Sequence, residues 1–447
     1  MIASVTYTYN TCHRQREFCE PTVFSIFCAS WNVNDKILAS DEDSLADWLL
    51  PHDQFLADIF AVGFQETVEL STMNVVFDGS KSADRSAYWQ CKIKETFLSR
   101  GLHYSLIEER HLVGNLICVF AKADLIPFIR GIRGATTPVG IMGVMGNKGA
   151  VVIRFRIYNT AVCLVCSHLS ANRDNVLGRN NDVRSINEKT ILYPSLSNAG
   201  QLLDASELVL KDSNPKDLST QWANETALPL HIDDHDVILW FGDLNYRIRE
   251  SISASEVMEI VKRGGSSSLI NRDQLKFEME KKNVFHDYEE GQLDFLPTYK
   301  YQPGTDVYDC RSEKKLRAPA WCDRVLWKEN STINSVRQLN YRRAELNISD
   351  HKPISALFNI DSGITDPIRE RSLYQELLNK VDKWENASAP KLIVEDRVID
   401  FGIVQVQVRC EFGLSNLLLM LVTSNFSPFF VSYLHDDETS NPTDYCK

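Results

Sequence analysis

Short apolar segments rich in β-branched residues recur along the chain and predict β-strands. Most of them are almost continuously hydrophobic, which is typical of strands that are buried on both faces of a sheet. The predicted strands comprise residues 23–29, 58–62, 116–121, 150–157, 162–166, 237–241, 325–327 and 354–360.

Helical periodicity appears between and after these strands. Residues 44–50 follow the acidic residues 41–43, and acidic side chains stabilise the first turn of a helix. The polar stretch 172–236 predicts a helix followed by an extended surface loop, and residues 369–384 predict one amphipathic helix. Strands mixed with helices predict an α/β sandwich in which the sheets lie inside helical layers.

The pattern changes after the last predicted helix. Pro390 breaks the helical pattern, and alternating β-type sequence follows, as in residues 404–408. We therefore expect a large α/β domain over residues 1–365, a helical linker over 366–389 and a small β-rich segment over 390–447.

Polar side chains follow or precede several predicted strands, close to the point where each strand ends or begins. In α/β proteins, strand ends and adjoining loops commonly assemble a functional site. A polar residue that opens a loop accounts for any one of these positions, but it is a poor explanation for all of them together. The side chains are Asn32, Glu66, His168, Asp243, Asn245, Asp350 and His351.

The chemistry of this set predicts metal-assisted hydrolysis of a phosphate ester. Glu66 is a hard oxygen ligand, and Asn32 is expected to support a hydrated Mg²⁺ ion, which usually takes only one or two carboxylates. Asp243 and Asn245 are two residues apart, so both face one way and are expected to orient and deprotonate the attacking water. His351 is expected to stabilise or protonate phosphoryl oxygens. Zinc is disfavoured because the set is not rich in His and Cys.

Composition narrows the class of protein further. The 447 residues carry a formal net charge of −12, which argues against a general nucleic-acid or membrane-surface binder, although a local basic cluster can still bind anions. The 11 cysteines show no repeating framework, and residues 1–20 lack the apolar core of a signal peptide, so we expect a cytoplasmic protein. The longest strongly apolar run, residues 417–422, is too short to span a bilayer, so membrane contact is expected to be peripheral.

Two segments are similar to the signature motifs of the inositol polyphosphate 5-phosphatase family. Residues 240–248 read Trp-Phe-Gly-Asp-Leu-Asn-Tyr-Arg-Ile, and residues 319–327 read Pro-Ala-Trp-Cys-Asp-Arg-Val-Leu-Trp. Both motifs are long and rich in uncommon residues, and the resemblance extends from near the N-terminus to about residue 410. Shorter matches occur in the expected order at residues 62–66, 146–151 and 349–353.

The resemblance implies a four-layer α/β sandwich of the exonuclease III-like type, shared by endonucleases, neutral sphingomyelinases and phosphatases. It also implies Mg²⁺-dependent hydrolysis of the 5-phosphate of phosphoinositides, such as phosphatidylinositol 4,5-bisphosphate or the 3,4,5-trisphosphate, or of soluble inositol polyphosphates. A metal-organised water would attack the phosphomonoester in line. Nucleic acid is then not a partner, and the protein is expected to be a monomer.

The resemblance assigns roles to residues at the matched positions. The metal ligands are Glu66 and Asn32. The catalytic residues, which position water or stabilise the phosphoryl group, are Asp243, Asn245, His351, Asp323, His168 and Asp350. The residues expected to contact the substrate are Asn147, Lys148, Tyr299, Lys300, Lys315, Arg317 and Arg324.

A basic cluster within the last group bears on the substrate. Tyr299, Lys300, Lys315 and Arg317 match family positions that bind the 4-phosphate. Ammonium and guanidinium groups make charge-assisted hydrogen bonds to such a phosphate. A solvated basic loop is the alternative. A nuclease or a sphingomyelinase of the same fold would have little use for the cluster, so it favours the phosphatase.

The chain also resembles the type II enzymes of the family, the group that includes the Lowe syndrome protein. Those enzymes continue into an immunoglobulin-like ASH domain, which implies binding of Rab-type small GTPases and association with endosomal, Golgi or plasma membranes. Fewer residues follow Pro390 than the roughly 100 of an immunoglobulin-type sandwich, so we expect a partial, truncated ASH domain. A non-catalytic adaptor that binds small GTPases through this region is the rival hypothesis, and the complete catalytic set argues against it.

Two apolar segments, residues 125–129 and 141–145, suggest a further contact with the membrane. They would touch lipid if they lay on the rim of the site. Ordinary packing in the core is the alternative explanation.

Overall fold

Two mixed six-stranded β-sheets form the centre of the protein. The computed structural model describes residues 14, 17–38, 44–51, 56–69, 79–140, 145–194, 228–310, 316–331 and 334–388. Residues 19–365 form one compact unit that contains both sheets, and the described residues outside this range belong to a second unit.

The bounds of the secondary-structure elements are as follows. The strands are β1 (Cys19–Asn32), β2 (Ile59–Gln65), β3 (Tyr104–Leu112), β4 (Asn115–Lys122), β5 (Ile129–Pro138), β6 (Gly149–Ile157), β7 (Thr160–His168), β8 (Val237–Asp243), β9 (Glu289–Glu290), β10 (Asp323–Glu329), β11 (Val336–Arg343) and β12 (Ile354–Thr365). The α-helices are α1 (Ala46–Leu49), α2 (Gly79–Ser99), α3 (Val176–Lys189), α4 (Ala254–Lys262), α5 (Gln274–Glu280) and α6 (Pro367–Ser388). Short 3-10 helices comprise Ala123–Phe128, Ile232–Asp234 and Ser266–Arg272.

The strand order brings the predicted strand ends together. The first sheet has the order β11-β12-β1-β2-β4-β3, and the second has the order β5-β6-β7-β8-β10-β9. β1 and β2 are parallel, as are β7 and β8. β12 runs antiparallel to β1, and β10 runs antiparallel to β8. Within each sheet, the carboxyl ends of the parallel pair therefore lie beside the amino end of an antiparallel strand.

Apolar side chains from the facing surfaces of the two sheets form the central core, to which Ile26 and Ile153 belong. Burial of both sheet faces explains the continuous hydrophobic character of these strands. On the outer face of the first sheet, Trp31 contacts Trp48 and Trp89 edge to face. Aromatic pairs of this kind contribute about 0.5–1.5 kcal/mol each beyond their buried area.

The outer face of the second sheet is covered in the same way. Trp240 packs edge to face against Phe285, and α3 and α5 add Ile186 and Leu275 to this cluster. Helices thus cover both outer faces, which confirms the predicted four-layer α/β sandwich.

All the predicted strands are present, and further strands lie at the sheet edges. β3, β5, β9 and β11, which the apolar pattern does not predict, are the outermost strands of the two sheets. The predicted helices over 44–50 and 369–384 correspond to α1 and α6. No helix in the described ranges is long and apolar enough to cross a membrane. Residues 141–144, 195–227 and the predicted ASH segment 390–447 lie outside the described residues, and the domain bounds stay predictions.

The apolar residues 125–129 lie at the end of the second sheet that is remote from the predicted site. β5 begins with Ile129 opposite Ile157, and it ends with Pro138 opposite Gly149, which pairs with the site end of β7. The prediction that this segment touches lipid at the rim of the site is therefore wrong. Leu125 and Ile129 pack in the central core, whereas Ile126 and Phe128 are exposed.

Candidate active site

Asp243, the last residue of β8, lies at the centre of the candidate site and is buried. Asn32 Nδ2 donates a hydrogen bond to its Oδ2 at 3.0 Å, and the main-chain N–H of Asn245 donates to its Oδ1 at 3.1 Å. The preceding Gly242 has a φ of 136°, and a Cβ there would collide with the carbonyl oxygen of Ser167. The close approach of β7 and β8 at this point therefore requires glycine.

His351 lies beside Asp243 and is held by Asp323. Its Nδ1 is 2.9 Å from Asp323 Oδ2, which also accepts a hydrogen bond from Thr298 Oγ1 at 2.6 Å. Its Nε2 lies 3.9 Å from Asp243 Oδ2. Burial alone would lower the pKa of His351, but the carboxylates of Asp323 and Asp243 raise that pKa to about 9. His351 is therefore an imidazolium at neutral pH and cannot act as a base there.

The same neighbours set the charge of Asp243. Burial opposes its ionisation, but the charge of His351 and the hydrogen bond with His168 hold the pKa of Asp243 well below its usual range. Such a carboxylate is a good hydrogen-bond acceptor and a weak base. Of the two roles that the sequence predicts for Asp243, the geometry favours orientation of the water over its deprotonation.

His168, at the end of β7, borders the other side of Asp243. Its Nε2 is 3.3 Å from Asp243 Oδ2 and 3.6 Å from Glu66 Oε1, and it also contacts Lys148 Nζ. Burial, and then the neighbouring Lys148, lowers the pKa of His168, so this imidazole is neutral at pH 7. Its Nδ1 has no hydrogen-bond partner among the described residues.

Glu66 offers the most accessible carboxylate of this group. Its side chain is 29% exposed, whereas that of Asp243 is 2% exposed. Glu66 has a φ of 53°, and its carbonyl oxygen accepts a hydrogen bond from Asp35 N at 2.7 Å, so the chain turns directly after β2. Asn32, at the end of β1, accepts a hydrogen bond from Asn34 N through Oδ1 at 3.0 Å. The Asn32 amide is thus oriented by its two neighbours.

This oxygen-rich donor set is suited to Mg²⁺. Ligand atoms of Asp243, Asp323 and His351 also lie within 4.8 Å of one another. His351 is not a free ligand, however, because its Nδ1 is engaged by Asp323 and its ring is protonated. A divalent cation would instead be held by Glu66, with Asn32 close by.

Asn245 lies beside Asp243, but it is not on the extended segment that the two-residue spacing predicts, because β8 ends at Asp243. The side chain of Asn245 is held on two sides. Its Nδ2 donates a hydrogen bond to Leu169 O at 3.1 Å, and its Oδ1 accepts one from Arg247 Nη2. The residue has a φ of 58°, a left-handed conformation that asparagine tolerates better than most residues. One Nδ2 hydrogen remains for a ligand.

Several of the predicted substrate residues border the same site. The ring of Tyr299 is 4.6 Å from that of His351, and Lys300 Nζ forms an ion pair with Asp350. Burial opposes the ionisation of Asp350, but His351 and Lys300 lower its pKa.

The other predicted substrate residues differ in how close they lie to the site. Lys148 contacts His168, and the preceding Asn147 has a buried Oδ1 with no partner in the described part of the chain. Arg317 is exposed, and Lys315 lies outside the described residues.

Arg324 does not contact the candidate site, which contradicts its predicted role in substrate binding. Its side chain is fully buried, and its Nη1 lies 2.9 Å from Asp273 Oδ1. Its Nε donates to Glu290 Oε1 at 2.6 Å, and Nη2 binds the second oxygen of the same carboxylate. Arg324 therefore neutralises two internal carboxylates.

Some residues that hold the site were not predicted. Thr298 binds Asp323, Arg247 binds Asn245, and Trp31 Nε1 donates a hydrogen bond to the carbonyl oxygen of His351 at 2.9 Å. Each is near a predicted residue in the sequence, and this adjacency is the signal that was available. Adjacency alone does not indicate which side chain turns toward the site.

Known proteins are similar to this chain in sequence and in fold. Residues 29–357 match the family model described as Endonuclease/Exonuclease/phosphatase family 2. The chain is 33% identical over 407 residues to the type II inositol 1,4,5-trisphosphate 5-phosphatase of Mus musculus, covering 88% of this chain and 37% of that protein. It is 33% identical over 364 residues to type IV inositol polyphosphate 5-phosphatase 9 of Arabidopsis thaliana, covering 76% of this chain and 79% of that protein. The chain thus spans well under half the length of the mouse relative.

A solved structure shares the fold. The inositol polyphosphate 5-phosphatase domain of SPsynaptojanin, in complex with inositol (1,4)-bisphosphate and a calcium ion, is 31% identical with a TM-score of 0.67. The match covers 86% of this chain and 99% of that domain. From the matched family model, the relatives of similar sequence and this shared fold, we conclude that the chain belongs to the inositol polyphosphate 5-phosphatase family.

Proposed function

We propose that this protein is a Mg²⁺-dependent phosphatase that removes the 5-phosphate from inositol polyphosphates and from phosphoinositides such as phosphatidylinositol 4,5-bisphosphate. The observation that carries the proposal is the arrangement of Asp323, His351 and Asp243 beside the accessible carboxylate of Glu66. The related solved domain supports the substrate class, because inositol (1,4)-bisphosphate is the 1,4,5-trisphosphate without its 5-phosphate.

The metal would be bound at the accessible carboxylate. Glu66 and Asn32 would hold Mg²⁺, which would neutralise phosphoryl charge and acidify a water when bound. Glu66 suits this role because its side chain reaches solvent, whereas Asp243 and Asp323 are buried against histidines. Asn32 supplies an amide whose orientation is set by Asp243 and by Asn34.

The chain's own residues would act on the water and on the phosphate. Asp243, ionised at neutral pH, accepts a hydrogen bond from the attacking water and orients it toward phosphorus. His351 carries a proton on Nε2, and Asp323 fixes its ring, so a positive donor faces the charge that develops on the phosphoryl oxygens. Lys148 and His168 border the phosphate from the other side. The products are an inositol hydroxyl and inorganic phosphate.

The 4-phosphate of the substrate would bind the basic cluster. Lys300 is at the site, and Arg317 is exposed and available to an anion. Because Lys300 already pairs with Asp350, a bound 4-phosphate would share the Lys300 ammonium with this carboxylate. Lys315 would complete the cluster.

We also propose that the protein attaches to membranes and that it belongs to the type II group of the family. A lipid substrate requires peripheral contact with a membrane surface, and the resemblance to the type II group points to endosomal, Golgi or plasma membranes. Rab-type small GTPases would bind if residues 390–447 act as an ASH domain.

A direct assay tests the proposal. Phosphate release from inositol 1,4,5-trisphosphate would be measured with Mg²⁺ for the wild type and for Asp243→Asn. The control is Asp233→Asn, an exposed aspartate at the opposite end of β8. We expect release of the 5-phosphate, confirmed by chromatography of the product, that Asp243→Asn abolishes and Asp233→Asn preserves. If the folded wild type releases no phosphate from this substrate or from vesicles containing phosphatidylinositol 4,5-bisphosphate, the proposal fails.

A further inference from the structure

Arg247 is a buried cation for which the reaction described above has no use. Its Nε donates a hydrogen bond to the main-chain oxygen of Asn245 at 3.1 Å, and its Nη2 donates to Asn245 Oδ1. Its guanidinium carbon lies 4.1 Å from the centre of the Tyr299 ring, which is a cation–π contact. Arg247 is thus held against Tyr299 and binds both oxygens of Asn245.

The surroundings of Arg247 differ from those of the buried Arg324. Arg324 is neutralised by Asp273 and Glu290. Arg247 forms no ion pair with any carboxylate in the described ranges, and its side-chain hydrogen bonds to Asn245 are to neutral oxygens. Burial opposes the charge of Arg247, but the neighbouring groups Cys322, Tyr299 and Asp243 hold its pKa above the usual range. The hydrogen bonds to Asn245 distinguish Arg247 from Arg324, whose partners are carboxylates outside the candidate site.

We propose that Arg247 is a positioning residue that fixes the side-chain amide of Asn245 toward the phosphate. This inference rests on the proposed phosphatase function. Arg247 engages Asn245 Oδ1 and Leu169 O engages one Nδ2 hydrogen, so the amide can present only N–H to a ligand. An N–H group attracts a phosphoryl oxygen, whereas a carbonyl oxygen would repel it. Without Arg247 the amide could rotate by half a turn and present that oxygen.

Lysine and methionine at this position separate charge from geometry. Methionine keeps an unbranched apolar stem and removes both the charge and the donors. Lysine keeps the charge over Tyr299, but its single ammonium group cannot reproduce the forked contact with both oxygens of Asn245. We therefore expect the catalytic rate to decrease in the order arginine, lysine, methionine.

The test is a double-mutant cycle on the full chain with inositol 1,4,5-trisphosphate and Mg²⁺. Arg247→Lys and Arg247→Met are each made in the wild type and in the Asn245→Ala background. We expect Arg247→Met to lower kcat by about tenfold to 100-fold in the wild type, with little change in KM, because a misplaced group near the reacting centre lowers rate more than binding. In the Asn245→Ala background the same substitution should lower kcat by less than about threefold, because the group that Arg247 positions is already absent.

A matched control tests whether the loss of any buried arginine would lower kcat. Arg154 is buried within β6, where its Nε donates to His235 Nε2 at 3.1 Å. Arg154→Met should lower the melting temperature and leave kcat of the folded protein unchanged. If Arg247→Met does not fold, Arg247→Lys carries the same cycle. Equal losses of kcat in both backgrounds, or none in the wild type, would overturn the role of Arg247, whereas an inactive wild type would overturn the proposed function itself.

Discussion

Asp323 lies directly opposite Asp243 in the antiparallel pair formed by β10 and β8. The two carboxylates flank one imidazole, since Asp323 binds His351 Nδ1 at 2.9 Å and Asp243 lies 3.9 Å from its Nε2. The strand register therefore fixes the distance between the residue that holds the imidazole and the residue proposed to orient the water. A shift of β10 by one residue would turn Asp323 to the other face of the sheet.

Asp323→Asn should narrow the pH range of activity. The amide no longer stabilises the imidazolium, so the pKa of His351 decreases from its value of about 9. In the proposed mechanism His351 acts in its protonated form, so wild-type activity should decrease as pH rises through about 9, and the variant should lose activity at lower pH. The dependence of kcat on pH checks this prediction. An alkaline limb at the same position in both proteins would show that activity does not depend on the protonation of His351.

The same histidine predicts a pH-dependent stability. The pKa of His351 is about 9 in the folded protein, compared with roughly 6.5 in an unfolded chain, so protonation favours the folded state. This contribution is fully present below about pH 6.5 and is lost as pH rises through about 9. It amounts to at most about 3 kcal/mol. Urea unfolding with a chelator present should show this decrease for the wild type and a flatter dependence for His351→Gln, and equal slopes would contradict it.

Arg324→Met should affect stability and leave substrate binding unchanged. The substitution leaves Asp273 and Glu290 buried without their cation, which typically lowers the free energy of unfolding by about 3–5 kcal/mol. Arg337→Met removes an exposed ion pair with Asp361 and should lower it by only about 0–1 kcal/mol. Urea unfolding measures the change in stability, and KM reports on substrate binding. A large increase in KM with unchanged stability would indicate that Arg324 binds the substrate.

Glu66→Gln should weaken the binding of Mg²⁺. The amide keeps the shape of the side chain but removes the accessible charge, so we expect an affinity for Mg²⁺ lower by about tenfold or more. Glu69→Gln, an exposed glutamate on the same loop, should leave the affinity unchanged. Isothermal titration calorimetry with Mg²⁺ measures the affinity independently of turnover. Equal affinities in the two variants would place the metal elsewhere.

Lys300→Met should raise KM selectively for substrates that carry a 4-phosphate. Loss of a charge-assisted hydrogen bond predicts an increase of about tenfold for inositol 1,4,5-trisphosphate. An inositol phosphate that has the 5-phosphate and lacks the 4-phosphate should be affected much less. Lys328→Met, at the other end of the sheet and paired with Asp233, is the matched control and should change neither KM. An equal increase in KM for both substrates would show that Lys300 does not bind the 4-phosphate.

The position of a strand in its sheet determines how well it can be predicted. Inner strands such as β8 are buried on both faces and read as continuous apolar runs. The outermost strands β3 and β11 carry charged residues such as Glu109 and Arg337. Charges on an edge strand prevent pairing with another chain, and they also remove the hydrophobic pattern from which a strand is predicted.

The residues of the site also differ in how well they can be predicted from the sequence. Residues at the carboxyl ends of β1, β2, β7 and β8 are predictable because strand topology brings those ends together. The direction of a side chain is harder to predict from a motif, and Asp323 and Arg324 illustrate this. They are neighbours in one motif, but successive side chains of a strand alternate between faces, so one reaches His351 and the other reaches Glu290. Contacts such as that of Thr298 with Asp323 depend on loop conformation, which the pattern does not contain.

The pairing of β12 with β1 joins elements that are synthesised at very different times, because the chain is made from its N-terminus. β1 lies between β2, the next strand in the chain, and β12, the last strand of the sandwich. Trp31, in β1, also donates a hydrogen bond to the carbonyl oxygen of His351, which directly precedes β12. A nascent chain that has emerged only as far as Lys300 already has the basic group proposed to bind phosphate, but it lacks the imidazolium. In the proposed mechanism, the chain therefore cannot act on phosphate during translation until His351 and the following strand β12 have left the ribosome.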